Sequence, residues 1–153
     1  MTPAFPGFPA DSLKFLQQIR RHNNREWFEK NRQVYELALK DPMKEIVATL
    51  AVELRRFAPE VIADPAKAIY RIHRDVRFSK DKSPYKTHIA AIFPRRGHDK
   101  HVSAGFYFGV SREGVEVAGG VYMPGPAELL AIRTWLAANH QVFRKVARGP
   151  EKL

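Results

Sequence analysis

Residues 69–88 read Ile-Tyr-Arg-Ile-His-Arg-Asp-Val-Arg-Phe-Ser-Lys-Asp-Lys-Ser-Pro-Tyr-Lys-Thr-His. Six cations, Arg71, Arg74, Arg77, Lys80, Lys82 and Lys86, stand against two anions, Asp75 and Asp81. Positive charge at that density repels itself unless something negative neutralises it. A guanidinium fork suits phosphate or carboxylate in bidentate fashion, and an ammonium serves as a point charge. Over residues 79–86, hydroxyls and backbone amides join the ammonium groups, which are the ingredients of a phosphate site. The expected direct contacts are Arg71, Arg74, Arg77, Lys80, Lys82, Lys86 and Tyr85, with Asp75 orienting the arginines. Their expected partner is an anionic ligand, a phosphate-bearing small molecule or a nucleic acid.

The same residues support other chemistry. In an enzyme acting on a phosphorylated or nucleic-acid substrate, His73 or Asp75 would handle a proton while the cations stabilise developing negative charge. In a basic protein-interaction module, the charged face would dock an acidic protein. In a purely structural reading, Asp75 and Asp81 pair with neighbouring arginines and pin a loop to a sheet, with Phe78 and Tyr85 in the core. Upstream, Asn23, Arg25 and Trp27 could line a cleft against the basic strand, Trp27 offering a stacking face. That stretch equally reads as a helix cap with an aromatic staple.

No metal and no cofactor are expected. Cations surround His73 and His88 and would repel a metal ion, and the absence of cysteine removes thiolate nucleophiles and Cys-ligated zinc. His98 and His101 stand three apart, in a polar connection that reads as a solvated basic loop. No Gly-x4-Gly-Lys-Ser/Thr, Gly-x-Gly-x-x-Gly, Gly-x-Ser-x-Gly or His-Glu-x-x-His signature occurs. Aromatics and cations interleave at Tyr70, Phe78, Tyr85, Phe106 and Tyr107, but without an RNA-recognition or helix-turn-helix signature.

These residues need elements to position them. Asp11 or Ser12 is the expected cap of a first helix carrying Leu13, Leu16 and Ile19, with Phe15 alongside. Asn24 should cap a second helix, with Trp27, Asn31, Val34, Tyr35 and Ala38 on one stripe. Asp41-Pro42 reads as a new helix start, followed by Met43, Ile46, Val47, Leu50, Leu54 and Phe57 at amphipathic spacing. After a polar linker over 60–67, strands are expected at 68–74, 87–93, 104–110 and 115–123, with hairpin chemistry at Ser111-Arg112-Glu113-Gly114. Strand periodicity over 69–78 would place Arg71, His73, Asp75 and Arg77 opposite Tyr70, Ile72, Val76 and Phe78, with Arg74 at a strand end or bulge. Gly119-Gly120 suggests a bulge or a close backbone approach. A helix over 126–139 and a short basic tail close the chain. Helices, then a meander, then a helix predict an α+β fold: N-terminal helices packed on an antiparallel β-meander, followed by a C-terminal helix.

Four stretches together resemble the DUF2461 family: Phe5-Pro6-Gly7-Phe8; Asn23-Asn24-Arg25-Glu26-Trp27-Phe28 with Asn31, Arg32 and Tyr35; the run from Arg71 to Thr87; and Gly119-Gly120-Val121-Tyr122. The resemblance implies a small α+β domain of bacteria and fungi and brings no catalytic residues with it. Members of that family usually continue past the helix after the Gly-Gly strand. The chain is accordingly expected to be one domain over 1–153 that lacks the usual C-terminal part.

A length of 153 residues suits one domain with a sizeable core, and 44% apolar with 27% charged residues fits a globular protein. The net charge of +10 favours an anionic partner over a neutral ligand. No apolar run approaches the roughly 20 residues of a transmembrane helix, so no membrane partner is expected. The N-terminal residues show no basic-then-apolar leader, and a cytoplasmic location is the expectation.

Overall fold

The structure, a computed structural model, describes residues 5–62, 64–98 and 102–148. Helix α1, Ala10–Arg21, turns Phe15, Leu16 and Ile19 inward, while Leu13, expected on the same face, is exposed. It begins before either predicted cap. Pro9 occupies the N-cap without a side-chain bond, and Ser12 lies inside the helix, fully buried. Helix α2, Arg25–Lys30, starts as predicted, because the Asn24 side-chain oxygen accepts the Trp27 N–H at 2.9 Å.

Helix α3, Arg32–Tyr35, a π-turn, Glu36–Lys40, and helix α4, Asp41–Leu54, follow one another without a break. Helix α4 does begin at Asp41 with Pro42 in its first turn, as expected, but as a continuation rather than a capped start: Asp41 makes no cap, and Lys40 and Asp41 both keep right-handed helical backbone. Pro42 lacks the N–H that an α-helix would aim at the Ala38 carbonyl, and a wide turn is where a helix absorbs such a defect. The buried Ser12 hydroxyl supplies the missing donor, giving its hydrogen to the Ala38 carbonyl at 2.5 Å. Phe57 falls outside α4 and is largely exposed, its ring lying edge-on to Phe106 at 5.9 Å. Within the predicted linker, Asp64 caps a short helix α5, Pro65–Ala68, by accepting the Ala66 N–H.

Strands β1, His88–Pro94, β2, Gly105–Ser111, and β3, Val115–Gly120, form one antiparallel sheet in the order β1-β2-β3. Ile92 pairs with Tyr107, which pairs with Ala118, so alternation along each strand defines two faces. Ile89, Ala91, Phe93, Phe106, Phe108 and Val110 face the helices. There they meet a core that includes Phe15, Leu16, Ile19, Phe28, Leu39, Met43 and Val47. Each large side chain in this core contributes roughly 1.5–3 kcal/mol on burial.

The predicted strand at 68–74 does not form a ladder. It runs extended beside β1 through isolated bridges at Ile69–Ala91 and His73–Tyr85. Three backbone bonds hold it: Tyr70 N–H to Ala90 at 2.9 Å, Lys86 N–H to Ile72 at 2.8 Å and Arg74 N–H to Pro84 at 2.8 Å. Pro84 brings no N–H of its own, and the chain loops away between 75 and 83, so regular pairing stops. Phe78, expected on an apolar face, is 95% exposed on that loop.

Gly119 and Gly120 carry no bulge; they pair in register with Phe106 and Gly105. The close approach at Gly119 is by a ring, since an added Cβ would lie 3.3 Å from Phe106. Helix α6, Pro126–Ala138, is as expected, and the basic tail is itself helical as α7, His140–Ala147. Neither helix has a buried residue, and Trp135 and Phe143 are half exposed. The fold is α+β as predicted. Among the described residues no helix is long and apolar enough to cross a membrane.

Candidate functional site

In an extended chain, successive residues turn their backbone groups to opposite sides. With Pro84 and Lys86 bonded toward residues 72–74, the N–H and carbonyl of Tyr85 point the other way, beyond the end of β2. Asn23 fills that place. Its Nδ2 donates to the Tyr85 carbonyl at 2.9 Å and its Oδ1 accepts the Tyr85 N–H at 3.0 Å, so one amide side chain imitates a strand neighbour. This clasp joins the α1–α2 corner to the basic segment. The Tyr85 ring turns into the core, stacked on Phe28 at 4.3 Å, and His73 lies against both rings at 5.2 and 6.3 Å.

The six cations of the segment do not gather on one surface. Arg77 holds Asp75 through its guanidinium and its backbone N–H, and these bonds lower the Asp75 pKa to about 2. A carboxylate kept ionised in this way is a poor proton donor near neutrality. Arg74 pairs with Asp81 and also donates to the Ser83 carbonyl at 3.3 Å. The Ser83 hydroxyl and N–H, with Arg74 behind them, hold the Asp81 carboxyl well below its usual range. Lys82 donates to the Val76 carbonyl at 3.0 Å, across the mouth of the loop. Arg71 and Lys80 are exposed, and Arg77 lies over the outward Phe78 ring at 5.7 Å. Much of the charge thus serves to shape the loop.

Two cavities adjoin what remains. A cleft of about 340 Å³ is lined by Arg20, Asn23, Arg74, Asp81, Ser83, Tyr85, Lys86, Thr87 and His88. It collects cations from three separate places: the last turn of α1, the extended segment and the approach to β1. Arg20 is steadied by Glu113 of the β2–β3 turn at 2.8 Å. The second cavity, about 580 Å³, opens on the sheet face turned away from the helices. Tyr70, Tyr107 and Tyr122 line it together with Lys86, His88, Glu116 and Ser103, and Gly105, Ala118 and Gly120 leave room between them. The Lys86 ammonium stands 4.9 Å from the centre of the Tyr70 ring.

Electrostatics in the larger cavity favour neutral donors. Burial, with the Glu116 charge behind it, raises the Tyr107 phenol, and burial with Tyr122 nearby raises Tyr70, so both remain hydrogen-bond donors. Desolvation against the cavity wall pushes His88 below its ordinary pKa, the Lys86 ammonium adds to this, and Glu116 opposes both. Lys86 and His88 line both cavities, so the two spaces meet at these side chains.

Of the sequence-predicted site residues, Arg74, Lys86, Tyr85, Asn23 and Asp81 come together at the smaller cleft. Arg71, Arg77, Lys80, Lys82, His73, Asp75, Arg25 and Trp27 line neither cavity. Trp27 stacks on His22 and packs against Phe15, the staple of the alternative reading. Asp99, Lys100 and His101 of the polar connection lie outside the described residues. Among the described residues no three His, Asp or Glu side chains cluster as metal ligands. Sequence reasoning missed Arg20, Tyr107 as a wall residue, and Glu116. For Tyr107 and Glu116 the signal was strand alternation: Gly105, Tyr107 and Gly109 share the face opposite Phe106 and Phe108, and Glu116 pairs with Gly109, whereas Arg20, in the last turn of α1, carried no such signal. A Cβ at Gly109 would lie 2.7 Å from the Tyr107 hydroxyl, so the missing side chain there makes room for that ring.

Neither the comparison with curated proteins nor that with solved structures returned a match. Two stretches that carry the family resemblance, the one ending in Lys86-Thr87 and Gly119-Gly120-Val121-Tyr122, converge on the larger cavity from distant parts of the chain. The comparison with protein families accords with this: residues 11–152 match a family described as a conserved hypothetical protein, and the chain belongs to that family, DUF2461.

Proposed function

We propose that this chain is an anion-binding domain that takes a phosphate-bearing ligand in the cleft between the end of α1 and the basic segment. The observation that supports it is the meeting of Arg20, Arg74, Lys86 and His88, from separate elements, around one concave space. Arg74 is pre-aimed by Asp81 and the Ser83 carbonyl, and Arg20 by Glu113, so little side-chain freedom is left to lose on binding. The hydroxyls of Ser83 and Thr87 add neutral donors beside the cations. Within the predicted segment the reading narrows to Arg74 and Lys86. The other cations contribute field rather than contact.

Thermal melts in a pyrophosphate series test it. Wild type should rise in Tm with pyrophosphate, as any ligand of the folded state requires. Arg20→Ala and Lys86→Ala should lose most of that rise, while Lys80→Ala, outside the cleft, should keep it. Equal loss in Lys80→Ala would make the effect one of diffuse charge and remove the cleft. No rise in wild type at low salt would remove the anion site altogether.

A further inference from the structure

Resting on the anion cleft just described, we infer that the larger cavity is its continuation and that the two together accept a phosphorylated compound with a planar ring, a nucleoside monophosphate by chemical class. The ring would enter among Tyr70, Tyr107 and Tyr122, and the phosphate would lie in the cleft. Lys86 and His88, common to both walls, mark where the two parts of one ligand join.

Size, surface and polarity each point this way. The volume of about 580 Å³ lies within the ~300–1,000 Å³ span of small-ligand pockets, which bury apolar walls and place a few polar groups to orient the guest. Aromatic side chains accept any flat ring by stacking, and the absence of side chains at Gly105 and Gly120, which pair on the Tyr107 face, leaves the sheet surface low beneath them. Ring selection needs hydrogen-bonding edges as well. Glu116 supplies an acceptor, the Tyr107 phenol supplies a donor, and the Ser103 hydroxyl is a buried wall atom with no hydrogen-bond partner among the described residues. A polar atom buried that way gains from a ligand that bonds it. A single nucleotide suits the arrangement better than a strand, because a strand needs successive stacking platforms along a continuous basic groove. Here the stacking surfaces share one cavity, and Arg77 and Lys82 are turned to their own loop.

Intrinsic-fluorescence titrations with adenosine and uridine monophosphates, ribose 5-phosphate, inorganic phosphate and a single-stranded 12-mer test the inference. At least one nucleoside monophosphate should bind about tenfold or more tightly than ribose 5-phosphate, the share expected of one stacked base. Ala118→Leu, which adds bulk to an exposed wall position without touching the core, should abolish that advantage and leave inorganic phosphate binding unchanged. Tyr107→Ala should act in the same direction, and a melt of each variant establishes that it is folded. Equal affinity for nucleotides and ribose 5-phosphate, with phosphate still bound, overturns the ring site and leaves the anion cleft standing. Loss of phosphate binding from every ligand overturns both. A 12-mer bound far more tightly than the mononucleotides, with strong salt dependence, replaces the single nucleotide by a strand.

Discussion

The Asn23 clasp gives the sharpest test of how the site is held. Asn23→Ala removes two hydrogen bonds, at 2.9 and 3.0 Å, and leaves the Tyr85 N–H and carbonyl without them. Each bond is worth about 0.5–1.5 kcal/mol net, and the position is half-buried, so water recovers part of the loss. The expected cost is about 2 kcal/mol, or a Tm fall of about 4–8 °C for a chain of this size. Asn23→Asp sharpens the test. It keeps an acceptor for the Tyr85 N–H but sets a carboxylate oxygen against the Tyr85 carbonyl, so near neutral pH it should cost at least as much as alanine. Urea unfolding followed by tryptophan fluorescence measures both, with Asn24→Ala as the ordinary N-cap comparison at about 1 kcal/mol. Because the clasp lies next to Lys86, Asn23→Ala should also weaken the pyrophosphate effect while the fold persists. A cost under about 0.5 kcal/mol, or an aspartate variant as stable as wild type, would refute the strand-mimic account.

Two further outcomes follow from the geometry. Gly105→Ala should destabilise by about 1–3 kcal/mol in chemical unfolding, because its Cβ would lie 2.6 Å from the Phe93 carbonyl oxygen, a backbone atom that cannot step aside. An alanine variant matching wild type would mean that β1 and β2 separate freely at that end. The second concerns acid. Asp75 is depressed from 3.8 to about 2 in the folded state, so its contribution is present above pH 4 and is lost as pH falls toward 2. Wild-type Tm should decline across that window, and Asp75→Asn should lower Tm at pH 6 and flatten part of the decline. Parallel curves for the two proteins would remove Arg77–Asp75 as a stabilising pair.

Local signals carried most of the fold. Asn24 caps where its side chain must, Leu16 and Ile19 repeat at helical spacing, and Ser111 to Gly114 turns one strand into the next, all settled within a few residues of chain. What stayed hidden depends on partners far away. Nothing near Pro42 announces that Ser12, on another helix, will serve the Ala38 carbonyl, so a helix start was the local expectation. Residues 68–74 have the composition of a strand, but Pro84 and the departing loop deny it a ladder. In the candidate site, Arg74 and Lys86 were legible from charge density. Arg20 was not, because it sits in an ordinary last helical turn and reaches the cleft only through the tertiary fold. Tyr107 stands in β2, whereas Tyr70 comes from the segment bridged to β1 and Tyr122 from the residues after β3, so their meeting depends on long-range pairing that is not written in any one segment.

The Ser12–Pro42 arrangement constrains how this sequence can drift. With proline at 42, a hydroxyl at 12 satisfies a carbonyl that the helix itself leaves over. Replace the proline with a residue that has an N–H, and the π-turn can tighten, the carbonyl finds its donor locally, and position 12 is released to any small apolar side chain. The two positions, on different helices, are therefore epistatic. A change at Ser12 is harmful or neutral according to what stands at 42, so substitution at 42 has to come first. A relative that lacks the hydroxyl at 12 should also lack the proline at 42, and a chimera that carries the α1 of such a relative into this chain would leave the Ala38 carbonyl without the Ser12 donor, although every residue in it is native to one parent.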